Sequence, residues 1–345
     1  VRAVVFERFG GSLEVREVAA PRPSPSGVVV RVGATGLCRS DWHGWMGHDP
    51  DIELPHVPGH ELAGTIAAVG PEVRRWRPGE RVTVPFVCAC GGCAACAAGQ
   101  QQVCERQTQP GFSHWGSFAE LVAIDAADVN LVSLPDNLDF GAAAALGCRY
   151  ATAFRAVVHR ARVQAGEWVV VHGCGGVGLS AVQIATAAGA HVVAVDISTE
   201  ALALARDLGA RVAVDGSGRS AEKVAQAVVD ATQGGGHVSL DALGSPDTCS
   251  ASVLSLRRRG RHVQVGLLPA SEGHPPLPME RVIALELDLL GSHGMPAHAY
   301  PELLSLVAAG TLQPDRLVTH ELTLDQAGQA LATMAPGAGM AIIRP

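Results

Sequence analysis

The chain is short of several things at once, and each shortage narrows what it can be. Lysine is almost absent: Lys223 is the only one, so arginine supplies all but one of the 26 positive side chains, against 33 acidic residues and a net charge of −7. We read this as coding bias. No long run of Lys and Arg stands out, which argues against the clustered positive face of a nucleic-acid-binding surface. No apolar run reaches the roughly 18 residues of a membrane span, so no membrane partner is expected. Aromatic residues make up only 4% of the chain beside 48% hydrophobic residues, the balance of a protein rich in Ala, Val and Gly. Repeats are absent, and so is low complexity outside a Cys/Gly/Ala tract at 88–99. The first residues read as a strand, Ala3 to Phe6, and not as a secretory leader, so a cytoplasmic protein is expected.

What the chain does have begins with length. At 345 residues it exceeds one average core and suits two domains. Its nine cysteines are an odd number. Without an export signal, metal ligation is a better reading of them than a disulfide framework.

The first 140 residues or so carry short apolar runs broken by Gly and Pro, such as GVVVRVGATG, GTIAAVG and RPGERVTVPF. They predict an irregular, mostly β region. The pattern changes near residue 142. From Trp168 the runs WVVVHG, HVVAVD, RVAVD, HVSLDALG, GRHVQVGL and LDLLGSHG read as strands, with helical segments between the first of them. One helix ends at Gly189; another opens on Ser198-Thr199 and closes on Gly209. Strand–helix alternation of this kind predicts α/β architecture with a doubly wound parallel sheet. The tail from about Met295 reads as one helix, Tyr300 to Ala309, and a last strand, Ala341 to Arg344, able to fold back onto the first domain.

VVVHGCGGVG ends a strand on Gly173-x-Gly175-x-x-Gly178 and enters a helix. The first glycine suits a tight turn, the second a close backbone approach to a pyrophosphate, and the third close helix–strand packing. The helix start offers unpaired N–H groups to phosphate. At the end of the next strand stands Asp196, placed to accept hydrogen bonds from adenosine ribose hydroxyls. The residues from Ile197 to Ala201 hold no basic group to balance a 2′-phosphate, so NAD is expected over NADP.

CGGCAACAAGQQQVC sets Cys90, Cys93, Cys96 and Cys104 at C-x2-C-x2-C-x7-C. Four thiolates on a tight loop fit structural zinc, with Zn–S bonds of about 2.3 Å, or an iron–sulfur cluster. Cys88 lies just outside the pattern. A second gathering is LCRSDWHGWMGHDPDIELPHVPGHELAG, residues 37–64, which crowds Cys38, Ser40, Asp41 and four histidines before Glu61. Cys148 follows far downstream in LGCRYATAF. Spacing alone cannot bring Cys38, His60 and Cys148 together.

The Cys38-Arg39-Ser40-Asp41-x-His43 box, Gly59-His60-Glu61, the four-cysteine loop and GxGxxG stand in an order that resembles the zinc-dependent alcohol dehydrogenases of the medium-chain dehydrogenase/reductase family. The resemblance covers nearly the whole chain. It implies a GroES-like, mostly-β catalytic domain (1–147 and 293–345) and a Rossmann NAD-binding domain (148–292). It implies two zinc ions: a catalytic one on Cys38, His60 and Cys148 with an open fourth position, and a structural one on Cys90, Cys93, Cys96 and Cys104. It implies that Ser40 and His43 relay the alcohol's proton, that Asp41 orients His60, and that Glu61 approaches the metal during ligand exchange. Arg39, Thr152, Gly173, Gly175, Val177, Gly178 and Asp196 would contact the cofactor, and Phe86 the substrate pocket. Trp42, Trp45 and Trp115 are further pocket candidates, at least one of them expected to be core instead. His48 and His56 match no role and are expected to face solvent. Two departures stand out: Ala201 replaces a lysine that some relatives use on adenosine, and Cys148 with Arg39 favours the alcohol branch over the polyol branch. The expected activity is reversible hydride transfer between NAD and a primary or secondary alcohol. A specialised polyol or glutathione–formaldehyde dehydrogenase, or a non-catalytic NAD(H)-binding protein, is the alternative. A homodimer or homotetramer is expected.

Overall fold

A computed structural model describes residues 1–268, 274–334 and 338–345. The chain divides into two compact units, Val1–Ala151 with Gly294–Ala335 and Met340–Pro345, and Thr152–His293 with Pro336–Gly339. Among the described residues no helix is long and apolar enough to cross a membrane.

The first unit is built on a seven-stranded sheet. Its central strand, Val28–Leu37, pairs antiparallel with Glu61–Val69, Leu121–Ile124 and Met340–Arg344. Val28, Val30 and Val32 lie buried against Leu62, Ile66, Val82 and Val122, while Arg31 points outward. Each such buried valine contributes about 1.5–3 kcal/mol over an exposed one. Two irregularities in register, at Val29/Val30 and Val32/Ala34, let this strand serve more than one partner. The strand ends at Leu37, and Cys38 caps the short helix Arg39–Trp45.

The tail returns to this unit and holds more structure than the sequence predicted. Beyond the helix Tyr300–Ala308 and the last strand Met340–Arg344, it forms a strand Val318–Thr323 and a helix Leu324–Ala332. The strand runs parallel to Met340–Arg344 and is mostly exposed, so it shows no alternation of apolar and polar residues. The helix starts on a Thr323/Gln326 capping box and buries Leu324, Ala327 and Leu331 against the core that holds Ala3 to Phe6.

The second unit is a six-stranded, all-parallel sheet. Numbered along the chain as Trp168–His172, His191–Asp196, Val212–Asp215, Gly236–Asp241, Leu256–Gln264 and Asp288–Gly291, its strands lie in the order third, second, first, fourth, fifth, sixth. This is the doubly wound arrangement that places ligands at the carboxyl ends of the strands where the order reverses. Val169, Val170 and Val171 are fully buried, as a central strand covered on both faces requires. Ser198, Ser220 and Ser245 each cap a helix through the side-chain oxygen.

Candidate metal and cofactor sites

Three separate segments of the first unit meet at one buried point. The sulfurs of Cys38 and Cys148, a nitrogen of His60 and an oxygen of Glu61 all lie within 4.8 Å of one another. Cys38 stands where the central strand passes into a helix, His60 directly precedes the next strand, and Cys148 sits in a helical turn at Leu146–Tyr150. Gly59 makes the approach possible: its φ is +107°, and a Cβ there would lie 2.6 Å from the ring and backbone of Phe118.

The surroundings hold these groups in place. Asp41, 1% exposed, accepts from His60 Nδ1 at 2.8 Å, from the Gly59 amide at 3.1 Å and from the Cys38 amide at 2.9 Å. The bond to Nδ1 fixes the orientation of the ring and leaves Nε2 for another partner. That Nε2 is buried and has no hydrogen-bond partner among the described residues. A buried, unpartnered nitrogen beside two thiols is the arrangement expected where a soft divalent ion belongs. Ser40 Oγ lies 3.8 Å from Cys38 Sγ.

The hydrogen bond from Cys148, with His60 nearby, holds the Cys38 thiol well below its usual range, and Cys148 rises correspondingly. Burial pulls His60 down, but Asp41 and Cys38 outweigh it and hold the ring well above the ordinary histidine value. A thiolate is therefore already favoured at the point where a metal would demand one.

Glu61 is close to this group yet fully engaged elsewhere. Arg149 Nε donates to both of its oxygens at 3.0 Å, Arg149 Nη2 to Oε2 at 2.5 Å, and the Arg149 amide to Oε1 at 2.9 Å. Gly36 gives the pair its room, since a Cβ there would lie 2.1 Å from Glu61 Oε2. Arg149 went unread in the sequence although it adjoins Cys148; a lone arginine in an apolar run was the available signal. Tyr300, one of two tyrosines, donates to the carbonyl of Gly147 at 3.1 Å and so ties the tail to the same turn. Phe86 and Phe112 set their rings edge-on to His60, at 6.3 and 5.3 Å between centroids. Phe112 carried no signal in the sequence.

The remaining expected residues scatter. His43 bonds His48. Arg39, exposed, lies 4.6 Å over the Trp42 ring and donates to the Met334 carbonyl. Trp45 is core, donating to the Gly11 carbonyl, and Trp115 is partly exposed, donating to the Pro55 carbonyl. His56 is a correction: it is 2% exposed, not solvent-facing, because its ring packs against Phe6 and its backbone bridges to the first strand. Burial pushes it below the usual histidine range.

The second cluster is local. Cys93 Sγ lies 3.5 Å from Cys96 Sγ and 3.7 Å from Cys104 Sγ, and Cys90 completes the group. Amides of Cys90, Gly92 and Arg106 point at the sulfurs over 3.3–3.5 Å. The Gly92 amide leads in pushing Cys90 down to about 6, with the Arg106 guanidinium contributing. All nine cysteines are free thiols, and Cys88 stays outside both groups.

In the second unit the glycine-rich turn has the geometry of its motif. Gly173 has φ +87°, and a Cβ on Gly178 would lie 1.8 Å from the Gly173 carbonyl oxygen. A Cβ on Gly175 would meet nothing within 4 Å, so the backbone there faces open space at the start of the helix Gly176–Ala187. That opening fits a phosphate group approaching unpaired N–H groups. Val177 follows, half-buried. Asp196 accepts from the Cys174 amide at 2.6 Å and the Ser198 amide at 2.8 Å, which fixes its carboxylate beside the turn. Thr152, the first residue of this unit, is buried with its hydroxyl unpartnered among the described residues.

Comparison with known proteins gives a consistent answer. The sequence pattern of the alcohol dehydrogenase GroES-like domain matches residues 24–136, and that of zinc-binding dehydrogenases matches 176–309. An alcohol dehydrogenase of Geobacillus stearothermophilus is 37% identical over 91% of this chain and 90% of its own. A solved NAD-dependent alcohol dehydrogenase superposes with a TM-score of 0.88 at 32% identity, covering 100% of both chains. A structure from Sinorhizobium meliloti 1021, solved bound to NADP, superposes at 0.90 with 29% identity over 100% of this chain and 99% of that one.

Proposed function

Because the chain belongs to the zinc-binding alcohol dehydrogenases of the medium-chain dehydrogenase/reductase family, we propose that it interconverts a primary or secondary alcohol and its aldehyde or ketone with NAD(H). One zinc would be held by Cys38, His60 and Cys148, and a second by Cys90, Cys93, Cys96 and Cys104. The observation that carries this reading is the buried meeting of Cys38, His60 and Cys148, with His60 Nε2 unpartnered and its other nitrogen held by Asp41. Three ligands and a free position suit catalysis, whereas four cysteines close a structural site.

Zinc held by Cys38, His60 and Cys148 would supply Lewis acidity toward an alcohol oxygen, and a bound nicotinamide would supply the hydride acceptor. The protein's own groups do the rest. Asp41 keeps His60 in the ligating tautomer. Ser40 accepts the alcohol's proton and passes it towards His43, on the way to solvent. Phe86 and Phe112 make the surroundings of His60 apolar and limit water there. Arg149 holds Glu61 as a buried ion pair, so its approach to the metal requires that pair to open.

The choice of NAD rests on Asp196. Its carboxylate is fixed beside Gly173 and Cys174, and a 2′-phosphate near it would set like charges together. No Lys or Arg lies between Ile197 and Ala201 to offset that repulsion. Such an uncompensated contact costs a few kcal/mol, about a hundredfold in preference. We expect kcat/KM for NAD to exceed that for NADP by about this factor, and Asp196→Gly to narrow the gap. Equal values in the unaltered protein would overturn the cofactor assignment. The outer strand Asp288–Gly291 of the parallel sheet has a neighbour on one side only among the described residues, which suits pairing with a second copy in a homodimer or homotetramer. The direct test of the activity is NADH absorbance with a panel of small alcohols, beside elemental analysis for zinc.

A further inference from the structure

His48 matched no role in the sequence, yet it is built onto His43. The two Nδ1 atoms lie 2.9 Å apart, a hydrogen bond in which one ring donates and the other accepts. The backbone reinforces the pairing, since the His48 amide donates to the His43 carbonyl at 3.0 Å. Gly47 makes the fold-back possible: its φ is +79°, and a Cβ there would lie 2.9 Å from the ring of Phe9. Trp42 sets its indole edge-on to both imidazoles, at 5.1 and 5.9 Å. On that indole lies the Arg39 guanidinium. His43 is half-buried and His48 exposed, so the pair leads outward.

We propose that His48 is the outer member of the proton relay, accepting from His43 the proton that alcohol oxidation releases and passing it to water. The proposal rests on the reading of His43 given above. In the starting state His43 carries its proton on Nδ1, shared with the Nδ1 lone pair of His48, whose own proton is on Nε2. A proton arriving at His43 Nε2 forms a new N–H bond there. The shared proton moves to His48 Nδ1, and the N–H bond at His48 Nε2 breaks, releasing a proton to water. One proton enters, one leaves, and no charge remains on the pair. The starting tautomers return by exchange with water at both ends once product has left. Aldehyde reduction runs the same path backwards. His48 acts through His43 and touches no substrate.

The charged groups adjoining the pair along the chain are Arg39, whose guanidinium lies over the Trp42 ring, and Asp49, Asp51 and Glu53 in the loop that follows. Asp49 accepts from the Asp51 amide at 2.9 Å, so its carboxylate is turned into its own loop. A relay ending in a histidine at the surface matters most while solvent hydroxide is scarce, because hydroxide or buffer base can otherwise take the proton directly, which gives the test its pH axis.

The experiment compares the zinc-loaded enzyme with His48→Gln, His43→Gln and the double variant, reading kcat for alcohol oxidation from pH 6 to 10, in water and deuterium oxide, at low and high buffer concentration. Glutamine keeps a hydrogen bond at an exposed site but cannot pass a proton on, and unchanged melting temperature and zinc content establish the fold. His48→Gln should lower kcat about fivefold near pH 6–7, within the range of general acid–base effects. The deficit should shrink above about pH 9 and under high buffer, with an enlarged solvent isotope effect. The double variant should match His43→Gln alone. If His43→Gln slows turnover but His48→Gln leaves the pH profile unchanged, the proposal falls and the role of His43 stands. If neither variant changes the profile, both fall. A double variant slower than His43→Gln by the full His48 factor would also overturn the proposal, since His48 would then act independently.

Discussion

The two clusters of metal-binding side chains are opposites in construction. The cysteine lobe draws four sulfurs from fifteen consecutive residues and has almost no core besides them: Ala89, Cys93, Cys96 and Cys104, with Ala95 and Val129 against them. The Cys38–His60–Cys148 point draws on three distant segments and is walled by the sheet, Asp41, the Arg149–Glu61 pair and two phenylalanines. With zinc bound as proposed, the lobe would depend on its metal for its own order, whereas the fold itself assembles the other site and the metal would only complete it. Removing one ligand should therefore damage different properties in the two regions.

The largest effect is expected at the dispersed site. Cys38→Ala and Cys148→Ala should each lower kcat/KM by at least about a thousandfold, because the group that acidifies the alcohol is gone. Melting temperature should change by only a few degrees. A steady-state assay beside differential scanning fluorimetry checks both halves, and retained turnover in either variant would remove that residue from the site.

Next in size is the lobe. Cys93→Ser should lower stability by several kcal/mol, since structural zinc supplies the ordering energy that the small core does not. A lobe that kept its thermal stability after losing its metal would erase the contrast between the two sites.

Asp41→Asn sharpens the comparison, because it leaves all three ligands in place. Asparagine keeps the shape but weakens the hold on His60 Nδ1, and metal affinity should fall about 10- to 100-fold. Competition with a zinc chelator measures it. No residue of the lobe has an equivalent carboxylate, so the effect should be confined to one of the two zinc ions.

A last effect lies in neither region. Burial pushes His172 from an ordinary 6.5 to about 3, with Ser255 as its side-chain partner. Between those values the unfolded chain binds the proton and the folded one does not, so stability rises with pH across the window. The contribution is full above about pH 6.5 and is lost as pH falls towards 3. His172→Gln should flatten this acid limb, read by urea unfolding at pH 4 and 7, and should do so equally with or without metal. An unaltered limb would show that other groups set the acid sensitivity.

Legibility in the sequence followed the same division. The lobe could be read outright, because C-x2-C-x2-C-x7-C is local. The six parallel strands were equally plain, since Val169 to Val171 and Val192 to Val195 are continuous buried runs. Cys38, His60 and Cys148 could be noticed singly but were joined into one site only through resemblance, as no spacing rule spans 110 residues. Arg149 was missed because nothing local distinguishes a buried arginine from a surface one. The strand Val318–Thr323 was missed because its exposed edge has no apolar period. His56 was misread because a histidine in a Pro-rich loop gives no sign that Phe6 will cover it.

The most direct test of the central claim is zinc content and melting temperature measured together for the unaltered protein, Cys148→Ala and Cys93→Ser. Two zinc ions per chain are expected in the first. One ion with near-normal melting and lost activity is expected in Cys148→Ala, and one or none with sharply lowered melting in Cys93→Ser. Equal loss of stability in the two variants, or a full zinc complement in either, would contradict that claim.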